Sequence, residues 1–314
     1  MLFFPPLSLT FGTEGAMSLL SIAVAVLQLY YVAVRVVVQQ LFSRALPTPE
    51  FPVQKGAVAF VTGGGSGIGY HTAKHLAKLG MHVIIAAHNE DECRQAVRTI
   101  KEETQNEKAG VMLVPKRETV DGFEEHFGLN YLGHFLLTNL LLDTLKKTGT
   151  NRYSARIVTM ASAVHYAGEL HLDDLQSSCY YSPHGAYAQS KLALVLFTYH
   201  LHHHLTEEGS HVTANAVDPG VVNTELYKNT SWPVRLVKWM TSWLFMRTPE
   251  EGAATTIYAA GAPELEGIGG CYLYNGAKTQ SSDLSYDEEL QRRLWTASCK
   301  MTGVPDVTGI CAGK

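Results

Sequence analysis

Residues 57–79 read AVAFVTGGGSGIGYHTAKHLAKL. Ala57 to Val61 is a short, continuously apolar run, the pattern of a strand buried on both faces of a parallel sheet. Eight residues follow, Thr62, Gly63, Gly64, Gly65, Ser66, Gly67, Ile68 and Gly69, and then Tyr70 to Leu79 has helical composition. Strand, tight turn and helix in that order form a dinucleotide cradle. The glycines let the backbone approach a ligand closely, and the free amides at the helix start can hold a pyrophosphate. The alternative is a merely structural glycine turn. The position of TGGGSGIG, directly after a strand and at the head of a helix, weighs against it.

The next apolar run, Met81 to Ala87, reads as a second strand ending in His88 and Asn89, with a helix from Asn89 to Thr104. A carboxylate at the tip of this strand would receive an adenosine ribose hydroxyl. None stands there, which removes a positive reason for NAD and leaves NADP open without an arginine to mark it. Asp91 is better placed to favour the start of the helix.

Further along, Arg156 to Ser162, RIVTMAS, reads as a strand with Ser162 at its C-terminal end, where open parallel sheets put their ligands. Tyr187 and Lys191 stand four apart in YAQSK, within a helical run from Ala186 to Leu205. That spacing sets a phenol and an ammonium on one helix face. A phenol with a pKa near 10 is a poor base at neutral pH, and a neighbouring cation favours its ionised form. Taken singly, Ser162 could be a cap and the Tyr/Lys pair a chance spacing. Their order after a glycine loop makes them a constellation.

Taken together, TGGGSGIG, Asn130 within HFGLNYLGHFLLT, Ser162, YAQSK and the DPG of Asp218 to Gly220 resemble the short-chain dehydrogenase/reductases, and in particular their retinol-dehydrogenase-like branch, over about residues 56–300. The resemblance implies a Rossmann-like, doubly wound parallel α/β sheet with helices on both faces. It also implies hydride transfer between NADP or NAD and an alcohol or carbonyl. Tyr187 would then be the proton donor or acceptor. Lys191 would lower its pKa and hold the nicotinamide ribose, Ser162 would position the substrate oxygen, and Asn130 would hold a water beside Lys191. Gly63, Ser66, Gly67, Ile68 and Gly69 would surround the pyrophosphate, and His88 would stand at the adenosine side. Pro219 and Gly220 would pass close to the nicotinamide, with Thr224 at its carboxamide or the phosphates. The branch further implies a retinoid or polyisoprenoid alcohol, or its aldehyde, as substrate.

One departure is as informative as the match. After the helix ending near Thr104 the chain passes through Gln105 to Lys108 straight into Ala109, Gly110 and Val111. Only the AG of the family's NNAG remains, and roughly one strand-helix-strand unit is missing, with Lys108–Ala109 as the junction. The fourth strand of a doubly wound sheet lies beside the first, so its loss is expected to leave the sheet incomplete around strands 3 and 4 and its halves without their shared neighbour. Val111 to Val114 could replace part of the lost strand by a change of register.

The remainder is packing, anchorage and tail. Of 314 residues, 25 are Lys or Arg and 29 Asp or Glu, giving a net charge of −4, so a nucleic-acid partner is not expected. Five scattered cysteines form neither a disulfide framework nor a zinc box, and His200, His202, His203 and His204 lack convergent ligands. Gly15 to Val34 is uncharged, with Glu14 before it and Arg35, Arg44 and Lys55 after it. Residues 1–44 therefore read as a membrane anchor with the following domain in the cytosol, at the endoplasmic reticulum or a lipid droplet. A monotopic helix, or a cleaved signal with secretion, are the alternatives. Residues 45–55 read as a stiff proline-containing linker, 56–300 as the dehydrogenase domain and 301–314 as a tail. Asp121 to Lys147 is helical in composition, Val212 to Val217 reads as a strand, Glu250 to Ala260 as a cover helix and Cys271 to Tyr274 as a last strand. Trp232 to Met246, with Arg235, Lys238 and Arg247 interleaved, reads either as a helix packed over the active site by its apolar side or as an amphipathic lid that lines an apolar pocket and touches the bilayer, and Asn229 opens a glycosylation sequon that a cytosolic domain would leave unused. Partners are thus a hydrophobic alcohol or aldehyde and a membrane or lipid-droplet surface, with self-association left open. The rival to an enzyme is a catalytically impaired, shortened product acting by contact.

Overall fold

A computed structural model describes residues 19–87, 89–105, 109–113, 121–179, 181–223 and 246–306, with side chains of 19–26, 29 and 109–113 excluded. The described elements are α1 (Leu19–Phe42), β1 (Val58–Thr62), α2 (Gly67–Lys78), β2 (His82–Ala87), α3 (Glu90–Thr104), β3 (Ala109–Leu113), α4 (Glu125–Phe127), α5 (Gly133–Thr148), β4 (Ala155–Met160), α6 (Pro183–Glu207), β5 (Val212–Asp218), α7 (Pro249–Gly261), β6 (Cys271–Tyr274), β7 (Ala277–Thr279) and α8 (Glu288–Thr302). The alternation of parallel strands and helices is the Rossmann-like α/β architecture expected from the sequence.

Local chemistry accounts for most boundaries. Asn89 caps α3, its side-chain oxygen accepting from the amides of Asp91 and Glu92. Thr248 and Glu251 form a reciprocal capping box at the start of α7, with Pro249 in the first turn. The helix expected from Asp121 begins only at Glu125, because the Glu124 carboxylate accepts from the amides of His126 and Phe127 and fixes the start there.

The strands form two separate ladders, β1-β2-β3 and β4-β5-β6-β7. In the first, β1 pairs β2 and β2 pairs β3, all parallel. Residues 109–113 therefore lie on the far side of β2, the position of a third strand, and do not fill the fourth, which corrects the expected register change. In the second ladder β5 is central and completely buried. Its Ala214 and Ala216 face α6, while Val217 faces α7. Only the short β7 runs antiparallel.

Among the described residues the two ladders share no strand. His82 donates its amide to the Ala57 carbonyl, and the Gly63 amide donates to the Ala86 carbonyl. In a parallel ladder the amide and carbonyl of one residue point the same way. The groups of Val58, Phe60 and Thr62 thus point away from β2, and among the described residues nothing pairs with them. By the same reasoning, from the bonds Ala155 to His211 and Ala161 to Val217, the groups of Arg156, Val158 and Met160 point away from β5. Val58 is 63% exposed, unlike a strand at the middle of a covered sheet.

Packing on one face joins the halves. α2 lies against α7, and Phe51 belongs to the apolar clusters of both ladders. The stretch read as a linker is strapped down by several bonds. The Gln54 amide donates to the Leu79 carbonyl, its side chain to the Gly261 carbonyl, and Asn275 brackets the backbone of Arg44 and Leu46. By hydrogen exchange, the amides of Val58, Phe60 and Thr62 should exchange at least about tenfold faster than those of Ala59, Val61 and Gly63. Equal protection would show that another segment closes the edge.

Candidate active site

The glycine loop is shaped by exclusion. Gly63 and Gly67 sit in the left-handed region at φ 64° and 56°. A Cβ on Gly69 would lie 2.2 Å from the Gly63 carbonyl oxygen, so no side chain fits there. Ser66 precedes α2 in an extended conformation and makes no side-chain cap. The first amides of α2 are thereby left for an external acceptor, as an anion site requires. A cavity of about 320 Å³ opens beside this loop, lined by Gly65, Ser66 and Tyr70 and by Glu92, Gln95 and Ala96 of α3.

The second half of the site gathers at the C-terminal ends of β4 and β5. Lys191 reaches from α6 to the end of β4, where its ammonium donates to the Met160 carbonyl at 2.9 Å. That carbonyl points toward the open edge, so the lysine satisfies a group that a neighbouring strand would have paired. The same ammonium lies 5.8 Å from the centre of the Tyr187 ring. Burial lowers the Lys191 pKa to about 8, with Asp218 acting in the opposite sense. Tyr187 is half-buried, with the His126 ring edge-on at 6.1 Å.

Ser162 follows β4 and caps the turn Ala163–Ala167, accepting weakly from the Val164 amide at 3.4 Å. The bland reading of this serine is therefore realised, and its hydroxyl keeps a proton to donate. His165 holds the turn, its Nδ1 donating to the Ser162 carbonyl at 2.7 Å and its Nε2 accepting from the Ser282 amide at 3.0 Å. Those two bonds define a neutral imidazole, and burial pushes its pKa down to about 4.

Asn130 sits in a π-turn, Gly128–Leu132, between α4 and α5. Its amide donates to the Ser190 hydroxyl at 3.0 Å, which in turn donates to the Tyr187 carbonyl at 2.8 Å. Asn130 is thus tied to the turn of α6 that carries Tyr187 and Lys191, and its described bond is to Ser190 beside the lysine. Phe127 and Tyr131, both fully buried, wedge the π-turn against Phe135 and Phe197.

At the end of β5, the buried Asp218 carboxylate accepts from the Gly220 amide at 2.8 Å and the Tyr272 hydroxyl at 2.7 Å. Burial raises its pKa, and these two donors, with Arg247 and Lys191, oppose the rise. Arg247, set at a lipid surface by the lid reading, is instead 4% exposed. It donates to the Pro219 carbonyl at 3.3 Å and to Asn275 at 3.0 Å, because the loop offers it acceptors that lipid would not. Val221 is further bound through its amide and carbonyl to the Gln40 side chain of α1.

The structure brings Ser162, Tyr187, Lys191, Pro219 and Gly220 to one end of the second ladder and keeps Gly63, Ser66, Gly67, Ile68 and Gly69 at the matching end of the first. The two groups approach at Gly252 of α7, where an added Cβ would lie 2.6 Å from Val222 and 3.4 Å from Ile68. His88 and Thr224 lie outside the described residues, as do Asn229, the aromatic segment before Met246 and Cys311. His165, Arg247, Tyr272 and Gln40 were not foreseen from the sequence. His165, Arg247 and Gln40 act through backbone groups, which carry no residue signature, and Tyr272 acts through the Asp218 carboxylate.

A glycine-only cradle, unused helix amides and a buried cation beside a phenol fit a dinucleotide with its ribose and pyrophosphate. The family profile described as short chain dehydrogenase matches residues 57–121 and 108–233. A human protein named polyprenol dehydrogenase is 56% identical over 329 residues, covering 93% of this chain and 100% of its own. Mouse retinol dehydrogenase 11 is 37% identical over 284 residues, covering 80% of this chain and 87% of its own. A crystal structure of an uncharacterized protein from Mycobacterium paratuberculosis superposes with a TM-score of 0.65 at 29% identity, covering 83% of this chain and 98% of its own.

The displaced Lys191 pKa sets a pH dependence. In the unfolded chain this lysine keeps its proton to about pH 10.4, whereas in the fold it releases it near pH 8. Between those values the unfolded state binds more protons, so stability should rise with pH, by no more than about 1.4 kcal/mol per unit. Chemical denaturation of the wild type and of Lys191→Met from pH 7 to 10 checks this. The variant should lose that rise.

Proposed function

Because the chain belongs to the short-chain dehydrogenase family, we propose that it interconverts a long hydrophobic alcohol and its aldehyde or ketone, using NADP or NAD. It is an oxidoreductase of the dehydrogenase/reductase class. The names of its relatives favour a polyisoprenoid or retinoid alcohol as the substrate. Within the retinol-dehydrogenase-like branch we align it with the X-linked dehydrogenase/reductase member, shortened by a strand-helix-strand unit near residue 108. Two observations support the shortening. The family profile matches in two stretches that overlap at residues 108–121. The alignment to the human relative also runs over 329 residues while drawing on 93% of a 314-residue chain, so that relative has positions without a counterpart here.

The observation that carries the reading is the Lys191 ammonium, buried and 5.8 Å from the Tyr187 ring at the mouth of a parallel ladder. A cation held there favours the phenolate, so Tyr187 can take the hydroxyl proton of an alcohol, or return it to a carbonyl. Ser162 would donate to the substrate oxygen and fix its position. Asn130, through Ser190, would steady the helix turn bearing the pair. The Asp218 carboxylate and Arg247 would hold the Pro219–Gly220 backbone against the nicotinamide. When bound, the cofactor supplies the hydride acceptor for alcohol oxidation or the hydride donor for carbonyl reduction.

One observation favours a second reading, a catalytically impaired product. The glycine loop and the Tyr187/Lys191 pair stand on ladders that have no common strand among the described residues, and the lysine spends a donor on Met160. Tyr187→Phe distinguishes the two. With a competent site, turnover of a long-chain alcohol followed at 340 nm should fall by about 10²–10⁴ while the unfolding midpoint is retained. No absorbance change in the wild type with either cofactor would favour the impaired product.

We also propose that α1 lies on a membrane surface, at the endoplasmic reticulum or a lipid droplet with the domain in the cytosol. Among the described residues no helix is long and apolar enough to cross a membrane. Leu27, Tyr30, Val34, Val38 and Leu41 form an exposed apolar stripe at helical spacing, continued by Phe42. In liposome flotation, Val34→Glu combined with Val38→Glu should lower the bound fraction at least about threefold. Unchanged flotation would refute the assignment.

A further inference from the structure

Ser162 is the first residue past the end of its ladder. The last bond that registers this strand is made one position earlier, where the Ala161 amide donates to the Val217 carbonyl at 2.8 Å. The serine hydroxyl accepts from the Val164 amide at 3.4 Å, a long bond that fixes a rotor poorly. The firmer hold is on its carbonyl, and both bonds there come from one residue. The His165 amide donates to it at 3.0 Å and the His165 Nδ1 at 2.7 Å.

The imidazole is itself immobilised. It is fully buried and lies between the rings of Tyr166 and Tyr272, at 4.1 and 4.8 Å between centres. A carbonyl can only accept and an amide can only donate, so the ring carries its proton on Nδ1 and offers Nε2 to the Ser282 amide at 3.0 Å. Ser282 stands 117 positions away in sequence, on a segment fastened to α6. Ser281 shares a 2.7 Å hydrogen bond with the Tyr199 hydroxyl, and Tyr286 stacks on Tyr199 with ring centres 5.4 Å apart. Tyr199 belongs to the helix that carries Tyr187 and Lys191. An unbroken set of contacts therefore runs from α6 through Ser281, Ser282 and His165 to Ser162.

We propose that His165 is a positioning residue of the reaction, registering Ser162 against the helix of Tyr187 and Lys191 through its two ring nitrogens. This rests on the dehydrogenase reading given above and adds to it a residue that acts through another. The serine hydroxyl and the phenol must meet one substrate oxygen. Their parent residues stand on different elements, a strand end and a helix. A misplacement of about 1 Å at such a site costs on the order of a hundredfold in rate. The segment of residues 281–286 thereby bears on the placement of Ser162, although it lies far from that residue in sequence. Each ring nitrogen is needed, because the loss of either bond cuts the connection.

Three substitutions in the full chain cut the connection at different points. His165→Gln keeps an acceptor near the Nε2 position and removes the donor to Ser162. His165→Asn keeps a donor near the Nδ1 position and leaves the Ser282 amide without its acceptor. Ser282→Pro removes that amide while the imidazole stays, and Ser282 already has a φ of −56°, which a proline ring accepts. Each should lower kcat for a long-chain alcohol, followed at 340 nm with NADP or NAD, at least about tenfold, with circular dichroism unchanged. In a Ser162→Ala background the same substitutions should cost less than about twofold more, because the hydroxyl they place is already gone. Exchange of the Ser282 amide should be slow in the wild type and at least about tenfold faster in His165→Asn. The role is overturned if the losses multiply with that of Ser162→Ala, if any folded variant keeps the wild-type kcat, or if Ser282 exchanges equally in both proteins. A wild type that turns over no alcohol with either cofactor overturns the dehydrogenase reading, and this role with it.

Discussion

Among the described residues, the fold is organised around two ladders that share no strand. The inner edges of β1 and β4 carry backbone amides and carbonyls that no described strand pairs. A buried polar group without a partner costs about 1–3 kcal/mol, so such an edge must be hydrated, capped or filled. The fold uses the first two remedies. Val58 remains largely in solvent, and the Met160 carbonyl at the end of β4 is met by the Lys191 ammonium. Cohesion passes instead to the α2–α7 contact and to Phe51, which fills a gap common to two apolar clusters.

That arrangement binds structure and chemistry together at Lys191. An ammonium withdrawn from water is held more weakly protonated, and every charge near it gains leverage in the lower dielectric. Asp218 opposes the loss of the proton while being itself disfavoured as an anion by burial. Tyr272 and Gly220 donate to that carboxylate and Arg247 holds the neighbouring Pro219 carbonyl, so the loop after β5 and the lysine on α6 are two ends of one electrostatic unit. The site is poised by several partly compensated charges.

Periodicity and glycine chemistry made the alternating elements readable. The strand-loop-helix of residues 57–79, the capped start of α3, the four-residue spacing of Tyr187 and Lys191, and the strand Cys271–Tyr274 are all local patterns, written in contiguous residues. The loss proposed near residue 108 was inferred from the count of alternating elements. The pairing of the chain that follows it was not legible. Whether residues 109–113 lie beside β2 or β1 is decided by pairing at long range, which a five-residue apolar run does not encode. Arg247 reads as a surface cation until Pro219, Tyr274 and Asn275 are folded around it. The π-turn at Asn130 escapes inspection for a similar reason. One extra residue per turn is set by how Phe127 and Tyr131 wedge under α6, and no composition rule announces it.

Two ladders that meet through helices and one aromatic side chain have a thermodynamic signature of their own. The second carries the large aromatic cluster of Phe127, Tyr131, Phe135, Phe197 and Trp295, whereas the first is aliphatic, with Leu76, Leu79, Met81, Val83, Ile85 and Ile100 among small alanines. Their heats of melting need not coincide. A chain so divided is expected to depart from all-or-none behaviour, with a calorimetric enthalpy above the van't Hoff value.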